Sequence, residues 1–238
     1  MIDGLYSGAS ALDVLAKQQE LISNNLMHLN TSGHRRQQLA VKQRFEVENI
    51  DASIDLGPEV EVRQVDFSQG RRVDTGRPLD VAISGDAFLV FNDGNRDLYS
   101  RNGRLFRDAE SNLLVNEEGF PIQGEDGDIT IDPSVADREI SIGNDGTIMA
   151  RGNVVGKIQS IAFEDNQTLV PVGVAGFVKG NNSVETESGA RVIQFQHELS
   201  NVQPVSELVA LIVNNRQYEA VQKATSAMSD ALREYIRE

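Results

Sequence analysis

"NNLMHLNTSGHRR", residues 24–36, decides how this chain is read. Upstream of it an apolar stripe keeps helical time through Leu5, Gly8, Leu12, Leu15, Gln19, Ile22, Leu26 and Leu29, alternating three and four. Asn30, Thr31, Ser32 and Gly33 then supply stop and turn chemistry, and His34, Arg35 and Arg36 form a basic knot suited to a helix C-terminus. The stripe has the spacing of a coiled-coil seam. A helix of this length would run roughly 40 Å. A seam so narrow requires a partner, and no helix follows nearby.

The partner is sought at the other end of the sequence. From Val205 to Ile236 the chain again reads helical, with Pro204 before it and a Glu in the first turn. Leu208, Leu211 and Ile212 open a stripe that Tyr218, Val221, Thr225, Met228, Leu232 and Tyr235 continue. The frame is expected to slip near Asn214–Asn215, as at a stutter. Between the two stripes the period falls to two. Residues 57–67, 80–91, 112–122, 128–133, 139–150, 157–163 and 191–196 read as short strands, separated by Asp-Gly and Asn-Gly turns. The fold class expected is α+β: N- and C-terminal helices paired as a coiled coil, with an inserted antiparallel all-β domain. Two narrow helices bury little by themselves, so the pattern points towards self-assembly.

Composition narrows the function. The chain has 238 residues, a net charge of −14, 39% hydrophobic residues, no Trp and no Cys. The charge argues against nucleic acid as a partner. The absence of cysteine removes disulfides, thiolate metal sites and a Cys nucleophile. No apolar run approaches the roughly 18–20 residues that span a bilayer, so no direct membrane insertion is expected. The N-terminus lacks the basic and apolar regions of a cleaved signal peptide.

Several motifs invite chemical readings that do not hold. "NDGNRD" (92–97), "GEDGDITID" (124–132) and "GNDGTI" (143–148) resemble fragments of calcium loops, yet none has the full twelve-residue pattern. They read as plain turns. His28, His34 and His197 are too scattered for a metal site and read as surface or interface histidines. "GVAGFVKGNN" (173–182) has no helix start and no Gly-Lys-Ser/Thr, so it is no phosphate loop. No catalytic, cofactor-binding or metal residues are assigned, no cofactor is expected, and the chain is read as a non-enzyme.

Four stretches in order carry a family resemblance. "GLYSGASAL…QQELISNNLMHLNTSGHRR" resembles the N-terminal signature of the bacterial flagellar rod and hook family. "RPLDVAISGDAFLVF" with "YSRNGRLFRDAESNLLVNEEGFPIQG" is similar to the family's central segment, and "ISIGNDGTI" to the strand that follows. "ELSNVQPVSELVALIVNNRQYEAVQKA" is similar to its C-terminal helix signature. Met27, His28, His34 and Gln217 depart from the family pattern.

The resemblance implies a structural subunit of the flagellar basal-body rod that polymerises helically as an axial drive shaft for motility. It implies a periplasm-spanning location, export through the flagellum's own type III apparatus without a cleaved signal, and partners among copies of itself and other rod and hook subunits. It also implies four segments: an N-terminal axial helix (1–35), a connecting β segment (36–78), a β-rich outer domain (79–200) and a C-terminal axial helix (201–238). The assembly seam expected on this reading is Leu5, Gly8, Leu12, Leu15, Ile22, Leu26 and Leu29 against Leu211, Tyr218, Val221, Met228 and Leu232. Asn24, Asn25, Asn30 and Gly33 would form the exit from the first helix. From the residues alone, a β-rich binding module with a dimerising coiled coil remains the alternative.

Overall fold

The structure, a computed structural model, describes residues 2–49 and 52–237, and the side chains among them outside 2, 42–63 and 236–237. The first stripe folds as α1 (Ile2–Met27). It ends there because Thr31 N–H bonds back to the His28 carbonyl in a turn, and Gly33 follows with φ of 71°, a backbone state that favours glycine. Two long antiparallel strands come next, β1 (Gln37–Asn49) and β2 (Ala52–Val65). They pair from Gln37–Val65 at the open end to Asn49–Ala52, with irregularities between Ala40 and Val41 and between Arg44 and Phe45.

The chain then threads short strands: β3 (Arg72–Asp74), β4 (Val81–Ser84), β5 (Phe88–Asn92), β6 (Asp97–Ser100), β7 (Phe106–Arg107), β8 (Leu114–Val115), β9 (Gln123–Gly124) and β10 (Gly127–Asp128). They continue as β11 (Ile140–Ile142), β12 (Thr147–Ala150), β13 (Asn153–Lys157), β14 (Ser160–Phe163), β15 (Leu169–Val172), β16 (Gly176–Lys179), β17 (Glu185–Glu187), β18 (Arg191–Gln194) and β19 (Gln196–Glu198). The second helix, α2 (Pro204–Arg237), closes the order. The largest sheet runs β15-β16-β6-β5-β14-β17, beside a three-stranded β11-β12-β13 sheet and several two-stranded pairings. Every strand pairing described is antiparallel.

The chain divides into two compact units. Residues 1–27, 36–66 and 202–238 form a helical unit with the β1–β2 hairpin; residues 28–35 and 67–201 form a β unit. The β unit is built on β5, whose "FLVF" is buried on both faces because the strand lies inside the six-stranded sheet. Leu89 and Phe91 point into an aliphatic core with Val81, Leu105, Ile122 and Ile131, each nearly or wholly buried. Phe88 points the other way, onto Phe67, Phe163 and Phe177 at ring separations of 5.9–6.0 Å. Tyr99 meets Phe163 edge-on at 4.9 Å, and burial together with Glu185 drives its hydroxyl pKa upward.

The acidic turns are what their sequences suggest. Asp93 accepts N–H bonds from Asn95 and Arg96, and Asp145 accepts from the backbone and hydroxyl of Thr147. These bonds stabilise the ionised form and hold both carboxyls below the usual aspartate value. Their oxygens are committed to their own loops.

Three expectations are corrected. The strand runs read from sequence pass over β1, β3, β6, β7, β9, β15, β16 and β17, whose runs are short, polar or Gly-flanked. The frame slip near Asn214 does not occur: Glu207, Leu211, Asn214, Tyr218, Val221 and Thr225 are buried or half-buried at alternating four–three spacing, and Leu232 follows seven residues on, while Leu208 and Ile212 are exposed. The basic knot does not sit in α1's last turn, which holds no basic residue; Arg35 and Arg36 go to carboxylates instead.

Candidate assembly surface

Within the helical unit α1 packs on both α2 and the β1–β2 hairpin, so its buried stripe is broader than a coiled-coil seam. Ile22 is buried, and Leu5, Leu12, Leu15 and Leu26 are half-buried. Val14 and Leu21 are buried too, while Gln19 is exposed. Leu29 lies beyond the end of α1, half-buried within the β unit.

Two glycines set how closely the helices approach. A Cβ on Gly8 would lie 2.6 Å from Thr225 Oγ1, and one on Gly4 would lie 3.2 Å from Met228 Sδ. Real side-chain carbons do not tolerate the first distance, so glycine at position 8 is what lets α2 come in. Of the expected α2 seam, Leu211, Tyr218, Val221 and Leu232 are half-buried, and Met228 is 40% exposed.

Polar groups interrupt this seam at its better-buried end. Glu207 is wholly buried and accepts a bond from Arg36 Nε. Asn214, 2% exposed, donates from Nδ2 to the Leu15 carbonyl at 3.1 Å. Asn25, 1% exposed, donates to the Gln37 carbonyl at 2.9 Å and accepts from the Gln37 N–H at 3.0 Å. A side-chain amide thus completes the backbone pairing of β1 at its first residue. Sequence reasoning missed Glu207 and Asn214 because neither is apolar, although both lie on the heptad extrapolated back from Val221.

Polar inside implies apolar outside. Val205, Leu208, Val209, Ile212 and Val213 occupy one face of α2, roughly 150° round the helix from the inward stripe, and are 74%, 50%, 55%, 54% and 47% exposed. Beyond them the same face turns polar with Arg216, Glu219, Lys223 and Asp230. The apolar face is confined to the first turns of α2. Such a concentration of large exposed aliphatics marks a contact surface.

The exit motif divides between the units. Asn24 is half-buried beside Asn25 on α1, and Asn30 is exposed. Gly33 is buried in the β unit, where a Cβ would collide with the backbone of Arg101 and Asn102. Arg35, 2% exposed, reaches Glu198 Oε1 at 2.6 Å. Arg101 approaches Glu198 Oε2 at 3.5 Å and lies over the Phe88 ring at 5.1 Å. Burial and the neighbouring Arg35 pull the Arg101 pKa down to about 10. Glu198 also accepts the Gly70 N–H at 2.7 Å. Residues 32–35 are buried in the β unit, with His34 1% exposed, whereas Asn30 is exposed and His28, Leu29 and Thr31 are half-buried.

Comparison with known proteins places this architecture. Residues 82–150 match the model of the flagellar hook protein FlgE/F/G D1 domain, and residues 194–237 that of the flagellar basal body rod FlgEFG protein C-terminal region. The chain is 30% identical over 228 residues to the flagellar basal-body rod protein FlgF of Caulobacter vibrioides, covering 94% of this chain and 92% of that one. It is 27% identical over 248 residues to FlgF of Salmonella typhimurium, covering 97% and 95%. It is 25% identical over 263 residues to the rod protein FlgG of Bacillus subtilis, covering 99% and 98%. Paired terminal helices around an antiparallel β region, together with relatives aligned along nearly the whole chain, show that this protein belongs to the family of flagellar basal-body rod proteins and is a structural subunit of the rod.

Proposed function

We propose that the chain polymerises helically into the rod by docking the apolar face of α2 onto another rod subunit. The observation that carries this reading is the inversion of α2: Glu207 and Asn214 are buried while Val205, Leu208, Val209, Ile212 and Val213 face outward. A helix that spends its aliphatic residues on its exposed side is stabilised by a neighbour that covers them. The α1–α2 seam is the axial element, with Leu5, Gly8, Leu12, Leu15, Ile22 and Leu26 on one side and Leu211, Tyr218, Val221, Met228 and Leu232 on the other, supercoiled as in a coiled coil. The β unit is the outward part of the subunit. Asn24, Asn25, Asn30 and Gly33 shape the passage from one to the other. Other rod and hook subunits are the neighbours, the flagellar export apparatus delivers the chain, and the subunit carries no enzymatic activity.

Leu208→Asp and Ile212→Asp test this reading. Each variant is expected to melt within a few degrees of wild type as a free chain, since exposed substitutions cost within about 0.5 kcal/mol. Each is expected to be absent from purified basal bodies and to abolish swimming. Normal swimming by both variants would refute docking through this face. Leu15→Asp and Leu26→Asp probe the seam separately, with loss of assembly expected while the β unit stays folded.

A further inference from the structure

We propose that His34 is an acid-sensitive latch, holding residues 28–35 in the β unit and releasing them when its second ring nitrogen takes up a proton. His34 is 1% exposed, and its Nδ1 lies 2.7 Å from the Val174 carbonyl in the β15–β16 turn. A carbonyl can only accept, so Nδ1 carries the proton of the neutral ring and Nε2 carries the lone pair. Nε2 is buried and has no partner among the described residues. A proton added there creates a charged N–H with no acceptor, away from water.

The surroundings offer that charge no compensation. On its own segment His34 faces His28, whose ring lies 5.0 Å away and whose Nδ1 is 3.4 Å from Thr31 Oγ1, and it is followed by Arg35. From the β15–β16 turn it meets the Val174 carbonyl. Glu198, the carboxylate that Arg35 engages, is already taken by Arg35, Arg101 and the Gly70 N–H, and Glu118 Oε1 approaches the neighbouring Gly173 in the β15–β16 turn. Burial, then the positive fields of His28 and Arg35, hold the His34 pKa below the usual 6.5, against the opposing effect of the Val174 bond.

The rest of the segment depends on the same seat. Ser32 and Arg35 are each 2% exposed, and Gly33 N–H donates to the Glu198 carbonyl at 2.9 Å. A histidine whose docked pKa is lowered binds protons better once released. Docking is therefore at full strength above pH 6.5 and is lost as pH falls through 6.5 towards the docked value, by up to about tenfold in the opening equilibrium per pH unit.

Hydrogen exchange of the full chain tests the latch, with protection in residues 28–36 followed between pH 7.5 and 5.0 and corrected for intrinsic rates. Wild type is expected to lose protection in this segment ahead of β5. His34→Asn, which keeps a donor near the Nδ1 position but does not titrate, is expected to hold its protection across the range. Equal protection of wild type at both ends, or an equal loss in His34→Asn, would overturn the proposal. If His34→Asn is undocked at every pH, the wild-type His34 Cε1–H resonance decides: a titration midpoint below 6.5 supports the latch, and one at or above 6.5 overturns it.

Discussion

The two units of this molecule differ in which large side chains they leave exposed and which polar ones they bury. The β unit encloses Leu89, Phe91, Leu105, Ile122 and Ile131 almost completely. The helical unit buries Asn25, Glu207 and Asn214 and leaves Leu208, Val209 and Ile212 at 50–55% exposure. A domain that folds alone removes its apolar surface from water, at roughly 25 cal/mol per Å². A helix pair that buries amides and a carboxylate gains registration more than stability, because each such group has a satisfied partner at one alignment only. The contrast separates a unit that encloses a large apolar core from one that leaves a cluster of aliphatic side chains exposed on α2.

The largest expected effect breaks the contrast from the β side. Phe91→Ala removes a wholly buried ring and should cost about 3–5 kcal/mol of β-unit stability, read by urea denaturation with amide exchange. The helical unit should be affected far less.

An intermediate effect probes the closest approach of the helices. Gly8→Leu puts a side chain where a Cβ alone already meets Thr225 Oγ1, and should cost about 1–3 kcal/mol of helix pairing despite leucine's better helix propensity. Far-UV circular dichroism during thermal unfolding measures it. A gain in helical stability would show that α2 does not seat against Gly8. The Leu208→Asp and Ile212→Asp pair sharpens the comparison further, since it should leave the free chain almost unchanged.

The smallest effect lies in the acidic turns. Asp93 and Asp145 have lowered pKa values, so their loops contribute stability that is present above the ordinary aspartate value near 3.8 and lost as pH falls through the lowered value. Asp145→Asn should flatten the acid limb of β-unit unfolding below pH 4 slightly, with little change at pH 7. An unchanged acid limb would mean that Thr147 does not hold this carboxylate.

Much of this was readable in one dimension. The three–four spacing gave both helices, because a stripe is a local property of a 3.6-residue repeat. Asp-Gly turns marked several of the strands, since a positive φ at such turns is also local: Gly94, Gly127 and Gly146 all adopt it, whereas Gly103 of the Asn102–Gly103 pair does not.

Other features depended on partners far away in sequence. Arg35 and Arg36 read as a basic knot at a helix C-terminus until Glu198 and Glu207 are placed beside them. Asn214 reads as a stutter until the Leu15 carbonyl appears opposite its amide. Leu208 and Ile212 read as core for the same reason: hydrophobicity alone favours them inward.

The sequence by itself therefore determined the two helices, the antiparallel β region between them and the family, all of which rest on local periodicity, turn chemistry and ordered motifs. Only the tertiary structure decided which face of α2 turns inward, and that residues 32–35 are buried in the β unit. Burial of a charge or an amide is decided by whether a partner of opposite polarity arrives, and here those partners lie 163 residues from Arg35 and 199 residues from Asn214.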